Sequence, residues 1–192
     1  MQVSLTSYAW GAGIATDLVN TSPWVWHGVD HMPDAEALGA FLRDHDLLPA
    51  AGQRYTATAA DLEAVHRLRD TARGVIDDPD PDRLVTAASA LSTGIGTLTL
   101  APDASGTPQW FARSREGAAL AEDLALVCAV GILGVVHSLG PERFRSCAAP
   151  DCHGAFIDTS RPGRRRYCMP DLCGNRVNVA NHRARQGSTR QP

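Results

Sequence analysis

Four cysteines near the C-terminus, Cys147, Cys152, Cys168 and Cys173, constrain the fold of this chain more than any other feature. They form two pairs, each with four intervening residues, and fifteen residues separate Cys152 from Cys168. Short pairs of this kind fold into knuckles that aim two sulfurs at one point, and the longer connector brings the second pair in from the opposite side. The spacing therefore predicts one zinc ion, Zn2+, held tetrahedrally by the four thiolates. Two disulfides would also use four cysteines, but they need an oxidising compartment. Met1–Tyr8 lacks the charged region and apolar core of a secretory signal, so a reducing, cytoplasmic setting is expected. A redox dithiol usually has two residues between its cysteines, and an iron–sulfur cluster suits these paired, arginine-rich knuckles less well than redox-silent zinc does. With all four ligands supplied by protein, the site is closed and structural, leaving no position for substrate.

Between the pairs, Ala155-Phe156-Ile157 followed by the turn-forming Asp158-Thr159-Ser160-Arg161-Pro162-Gly163 predicts a small hairpin separating the knuckles. Beyond the last cysteine a proline-free stretch reaches Gly187, and a helix is expected there, entered near Pro170 with Cys173 in its first turn. The run Cys173-Gly174-Asn175-Arg176, the step Tyr167-Cys168-Met169 and the arginine-rich tail resemble the CGNR zinc-finger proteins. In that family the finger usually follows an alanine-rich helical domain called ABATE, associated with stress-induced transcription regulation. Thr16-Asp17-Leu18-Val19-Asn20-Thr21 and the order of the later helices extend the resemblance over Ile14 to Leu139. The resemblance implies a regulator with a helical domain at 1–140 and a zinc module at 141–192.

Charge divides at the same place. Residues 1–140 carry eight arginines against seventeen acids, net −9, whereas residues 141–192 carry ten against four, net +6, within an overall −3. A basic module on an acidic body points to a polyanion as the module's partner, and double-stranded DNA is the expectation. Candidate contacts are Arg164, Arg165, Arg166, Asn175, Arg176, Asn178, Asn181, Arg183 and Arg185. Arg164, Arg165, Arg166 and Arg176 are also close enough in sequence to the cysteines to donate to sulfur. All eighteen cations are arginine, which a GC-rich genome would also produce, so only their clustering is informative. The module is too poor in large apolar residues to build its own core, and the ion should supply much of its folding free energy.

Upstream, the pattern is mostly α, in an α+β arrangement. Alternation at Val3 and Leu5 suggests a short edge strand or arm, and Ile14–Thr21 one or two turns of helix. Asp34 caps a helix through the following apolar face, closed by Leu47-Leu48-Pro49-Ala50-Ala51-Gly52. Thr58 opens the clearest amphipathic helix, and Pro81 begins another. Thr97–Leu100 and Gln109–Ala112 flank a turn cluster and predict a β-hairpin. Leu124–Val136 is apolar nearly all round. Its thirteen residues fall short of the roughly 20 needed to cross a bilayer, so it reads as a buried central helix with Cys128 an inert core residue and no membrane partner. Gly131 and Gly134 would permit close helix contacts.

One segment resists this accounting: Trp24-Val25-Trp26-His27-Gly28-Val29-Asp30-His31, bounded by prolines. Its simplest role is to cover the core; its alternative is a pocket for a small-molecule effector formed by Asn20, Trp24, Trp26, His27 and His31. No phosphate loop, dinucleotide glycine pattern or nucleophile elbow is present, and an enzyme is not expected. Two functions remain: a DNA-binding regulator whose N-terminal domain senses an effector, or a zinc-stabilised protein-interaction module without nucleic acid. The apolar helices permit a homodimer.

Overall fold

A computed structural model describes residues 1–47 and 56–180. The helices are α1 (Tyr8–Val19), α2 (Ala35–Asp44), α3 (Ala59–Ile76), α4 (Pro81–Ala90) and α5 (Leu120–Leu139), with a further helical segment at 175–180. The strands β1 (Gln2–Ser4), β2 (Gly96–Pro102) and β3 (Pro108–Ser114) form an antiparallel sheet in the order β1-β3-β2, and β4 (Phe144–Ser146) pairs with β5 (Ala155–Ile157). The fold is thus mostly helical with two small antiparallel sheets.

The predicted caps are present. Asp34 accepts from the Ala37 N–H at 2.8 Å, Thr58 and Asp61 form a capping box, and Asp80 caps α4 with Pro81 in its first turn. Residues 48–52, read as the end of α2, lie outside the described residues. The N-terminal arm is a true strand, pairing Val3 with Ala112.

Helix α1 is longer than the one or two turns expected, because its first half is glycine-rich and gives little apolar signal. The glycines have a tertiary purpose. A Cβ on Gly11 would lie 2.6 Å from the Val127 carbonyl, one on Gly131 would land in the backbone of Gly11 and Ala12, and one on Gly134 would enter Tyr8. Helices α1 and α5 therefore cross nearly backbone to backbone, as Gly131 and Gly134 suggested.

Helix α5 has twenty residues, not thirteen; by length and composition it could cross a membrane. Its apolar surface is used internally: Leu124, Val127, Cys128, Ile132 and Val135 are fully buried in a core shared with α1, α3 and α4. Burial pushes the Cys128 thiol up to about 12, consistent with an inert core thiol. Replacing Gly131 with valine should force the α1–α5 crossing apart and cost about 3 kcal/mol, read as a lower urea midpoint for loss of helical circular dichroism.

Candidate metal centre

The finger begins where α5 stops at Gly140, which has a φ of 97°. A single tight helical turn at Pro141–Arg143 then leads directly into β4, which ends one residue before Cys147. The expected hairpin lies one segment earlier than predicted: β5 pairs backward with β4 across the first knuckle, and not forward across residues 158–163. The knuckle is the turn. Cys147 N–H donates to the Gly154 carbonyl at 2.8 Å, extending the β4–β5 ladder up to the first ligand, and Asp151 takes a left-handed φ of 59° just before the second.

Residues 158–163 turn for a different reason. Asp158 is fully buried; its carboxylate accepts from the N–H and hydroxyl of Ser160 at 3.0 and 2.6 Å and from the Arg165 N–H at 2.9 Å, with Arg145 3.5 Å away. Burial alone would raise its pKa, but these donors together hold the carboxyl below the ordinary range. Arg143 spans the same turn, donating to the Asp158 and Ser160 carbonyls.

This frame brings the second knuckle back to the first. Ala148 N–H donates to the Arg166 carbonyl at 2.8 Å, and Cys168 N–H donates to Cys147 Sγ at 3.4 Å. Pro170–Gly174 forms a wide helical turn that carries Cys173 and leads into the helix at 175–180. All four Sγ atoms lie within 4.8 Å of one another. Cys152, Cys168 and Cys173 are separated by 3.7, 3.7 and 3.8 Å. An ion with Zn–S bonds of about 2.3 Å at the centre of a tetrahedron requires sulfur edges of about 3.8 Å. The residues fit the ion.

Electrostatics agree. Burial and the neighbouring Cys147 and Cys152 sulfurs push the Cys168 thiol far up, and burial pushes Cys173 up to about 11. Burial acts the same way on Cys147, but backbone N–H groups of Ala149 and Cys168 outweigh it and bring that thiol down. Four clustered thiolates repel, and a divalent cation removes that repulsion. The quartet is one structural zinc site.

Among the described residues, no arginine donates to a cysteine sulfur; backbone N–H groups do. Arg165, a candidate for DNA contact and for donation to sulfur, is committed inside the finger: it donates to the Tyr167 and Cys168 carbonyls and lies 4.8 Å over the Phe156 ring. Arg164, Arg166, Asn175, Arg176 and Asn178 remain at least partly open to solvent. Asn181, Arg183 and Arg185 lie outside the described residues.

The 24–31 segment packs against the metal module. Trp24 meets His153 at a centroid distance of 4.4 Å, while Trp26 donates to the Asn20 carbonyl at 2.7 Å and stacks on His31 at 3.7 Å. Trp26 and His27 line a cavity of only about 60 Å³ with Cys152, Cys173 and Arg176, room for water rather than a drug-sized molecule.

Asn20, grouped with that segment, has a different partner. Its side-chain amide donates to the Ala155 carbonyl at 2.7 Å and accepts from the Ala155 N–H at 3.1 Å, while Thr16 Oγ1 accepts from the Ile157 N–H at 3.1 Å. Helix α1 thus pairs with β5 through side chains as a neighbouring strand would through its backbone. Thr16 was missed because a threonine inside a helix carries no signal of a distant strand.

Also missed was Arg69, which is buried and grips Asp30 with two hydrogen bonds of 2.8 and 2.9 Å. Asp30 accepts in addition from the Met32 N–H at 2.8 Å. Partial burial raises its pKa, but Arg69 and Met32 more than offset this and hold the carboxyl below its ordinary value.

Purified protein should contain one zinc per chain by elemental analysis, and Cys168→Ser should lose it. Asn20→Ala should keep that stoichiometry yet cost about 3 kcal/mol in urea unfolding, since both polar atoms of the buried Ala155 peptide lose their partner. For Asp30 the folded pKa lies below the unfolded value, so its contribution is complete above about pH 4 and lost as pH falls through the folded value. Asp30→Asn should therefore be less stable by about 3 kcal/mol at pH 7 and show a shallower loss in acid than the parent.

Comparison with known families agrees with this architecture. A model described as "ABATE: Putative stress-induced transcription regulator" matches residues 13–133, and one described as "CGNR zinc finger" matches residues 143–186. No curated protein matches the chain. With more than half of its length inside the first model, the chain belongs to the ABATE family and ends in a CGNR zinc finger.

Proposed function

We propose that the protein is a cytoplasmic transcription regulator that binds double-stranded DNA through its zinc finger and adjusts that binding through its N-terminal domain. The observation that supports this best is the zinc-anchored helix: the ion fixes Cys173, and the helical turns that follow leave Asn175, Arg176 and Asn178 open to solvent. A short helix held rigidly at its N-terminal end, with amides and guanidinium groups outward, suits a groove in duplex DNA. Arg164 and Arg166, on the second knuckle, would contact phosphate, and Arg183, Arg185 and Asn181 would continue the contact along the chain. Arg165 has a structural task and would affect DNA only through the shape of the finger.

The Asn20 and Thr16 contacts with β5 supply the route from sensing to binding. Any effector that shifts α1 must also shift the strand between the two metal knuckles. A ligand touching Trp24, Trp26, His27 or His31 would act on the same seam, because Trp24 already rests on His153 of the finger.

A second function, protein interaction without nucleic acid, draws support from a specific feature. Ala155 and Ile157 belong to the core of the N-terminal domain, so the finger also completes that domain.

Binding of the full chain to a selected duplex, followed by fluorescence anisotropy at several salt concentrations, distinguishes the two. A regulator should lose about 10³-fold in affinity between 50 and 200 mM salt if about six phosphates are neutralised. Arg164→Ala combined with Arg166→Ala should flatten that dependence by about two units of slope, and a chelator should abolish binding. No duplex binding at 50 mM salt would leave the interaction module standing.

A further inference from the structure

Helix α5 carries Leu126, Ala129, Val130 and Leu133 at spacings of three and four residues, which places them on one face. Opposite them stand Leu98 and Ala112, register partners on β2 and β3 and therefore on the same side of the sheet. These six residues border a cleft of about 370 Å³ between helix and sheet. Ala112 and Ala129 are too short to fill it. The cleft is far larger than the cavity of about 60 Å³ beside Trp26 and His27, and it lies within the roughly 300–1,000 Å³ of small-molecule sites. Leu98 borders it while 64% exposed, which puts this side chain at the mouth.

The chemistry of the lining is narrow. Among the described residues that border the cleft none carries a charge, and only Ser92 and Thr97 bring hydroxyl groups. Such a lining offers water few polar partners, whereas an apolar molecule would remove it from solvent without stranding any ion.

We infer that this cleft binds a small, uncharged, largely apolar molecule, one per chain. The α5 face and Ala112 supply contact area, and Ser92 or Thr97 can exchange a hydrogen bond with a polar atom on the ligand. An anion is disfavoured, because no arginine or histidine borders the cleft to pair with it. Gly134 also borders the cleft, and its backbone lies against Tyr8 of α1. An occupant therefore bears on the helix whose far end holds β5 through Thr16 and Asn20. Any effect on DNA rests on the regulator proposed above; occupancy of the cleft does not.

Two dyes that share a ring system, neutral N-phenyl-1-naphthylamine and anionic 1-anilinonaphthalene-8-sulfonate, test the site by fluorescence titration of the full zinc-loaded chain. No DNA is added, so the result is independent of whether the finger binds a duplex. The neutral dye should bind saturably, one per chain, and at least about tenfold more tightly than the sulfonate. Leu98→Arg, at an exposed position, should leave helical circular dichroism and zinc content unchanged. It should weaken the neutral dye at least about tenfold and strengthen binding of the sulfonate, since a cation then stands at the mouth. Val85→Arg, exposed on α4 and not bordering the cleft, should change neither affinity. No saturable binding of the neutral dye would overturn the proposal, as would equal affinity for the two dyes or a Leu98→Arg variant that binds both like the parent. Loss of the neutral dye in Val85→Arg would place it elsewhere and overturn the proposal equally.

Discussion

The fold depends on a peptide group that the helical body and the finger share. Ala155 has its N–H and its carbonyl held by one side chain, Asn20, at the end of a helix more than a hundred residues earlier. A buried peptide without partners is costly, so α1 and β5 are stable together or not at all. Alternation along β5 deepens the dependence: Ala155 and Ile157 enter the core of the helical domain, while Phe156 enters the cluster around the cysteines. Three residues therefore serve two cores.

The metal completes this arrangement from the other side. The finger's own apolar cluster consists of Ala149, Phe156 and two ligands, with few further side chains packed on it. So small a cluster cannot offset the entropy of ordering two knuckles and a fully buried Asp158. Coordination supplies what packing does not. Because Gly154 sits where any Cβ would press into Cys168 Sγ and within 3.0 Å of Asn20 Oδ1, the same backbone passes between the ligand sphere and the clamp. Zinc and the N-terminal domain are thus mechanically adjacent.

Arginine is used in two ways across this boundary. Arg69, Arg143 and Arg165 are drawn inward, where the planar guanidinium satisfies several acceptors at once. Arg164, Arg166 and Arg176 remain outside. Composition counts all six alike, although only the second group leaves its charge toward solvent.

The sequence by itself determined what local chemistry and short spacing control: the metal ligands, the helix caps at Asp34, Thr58 and Pro81, the hairpin, the buried course of α5 and the glycines at its crossing. Each depends on residues within a few positions of one another, or on a periodicity that persists over several turns. Tertiary structure alone decided that Thr16 and Asn20 reach β5, that Arg69 grips Asp30 and that Trp24 rests on His153. The physical reason is distance along the chain. Hydrogen bonds spanning 39 to 141 residues leave no pattern in either partner's neighbourhood, and one threonine or asparagine in a helix looks the same whether it faces water or a strand.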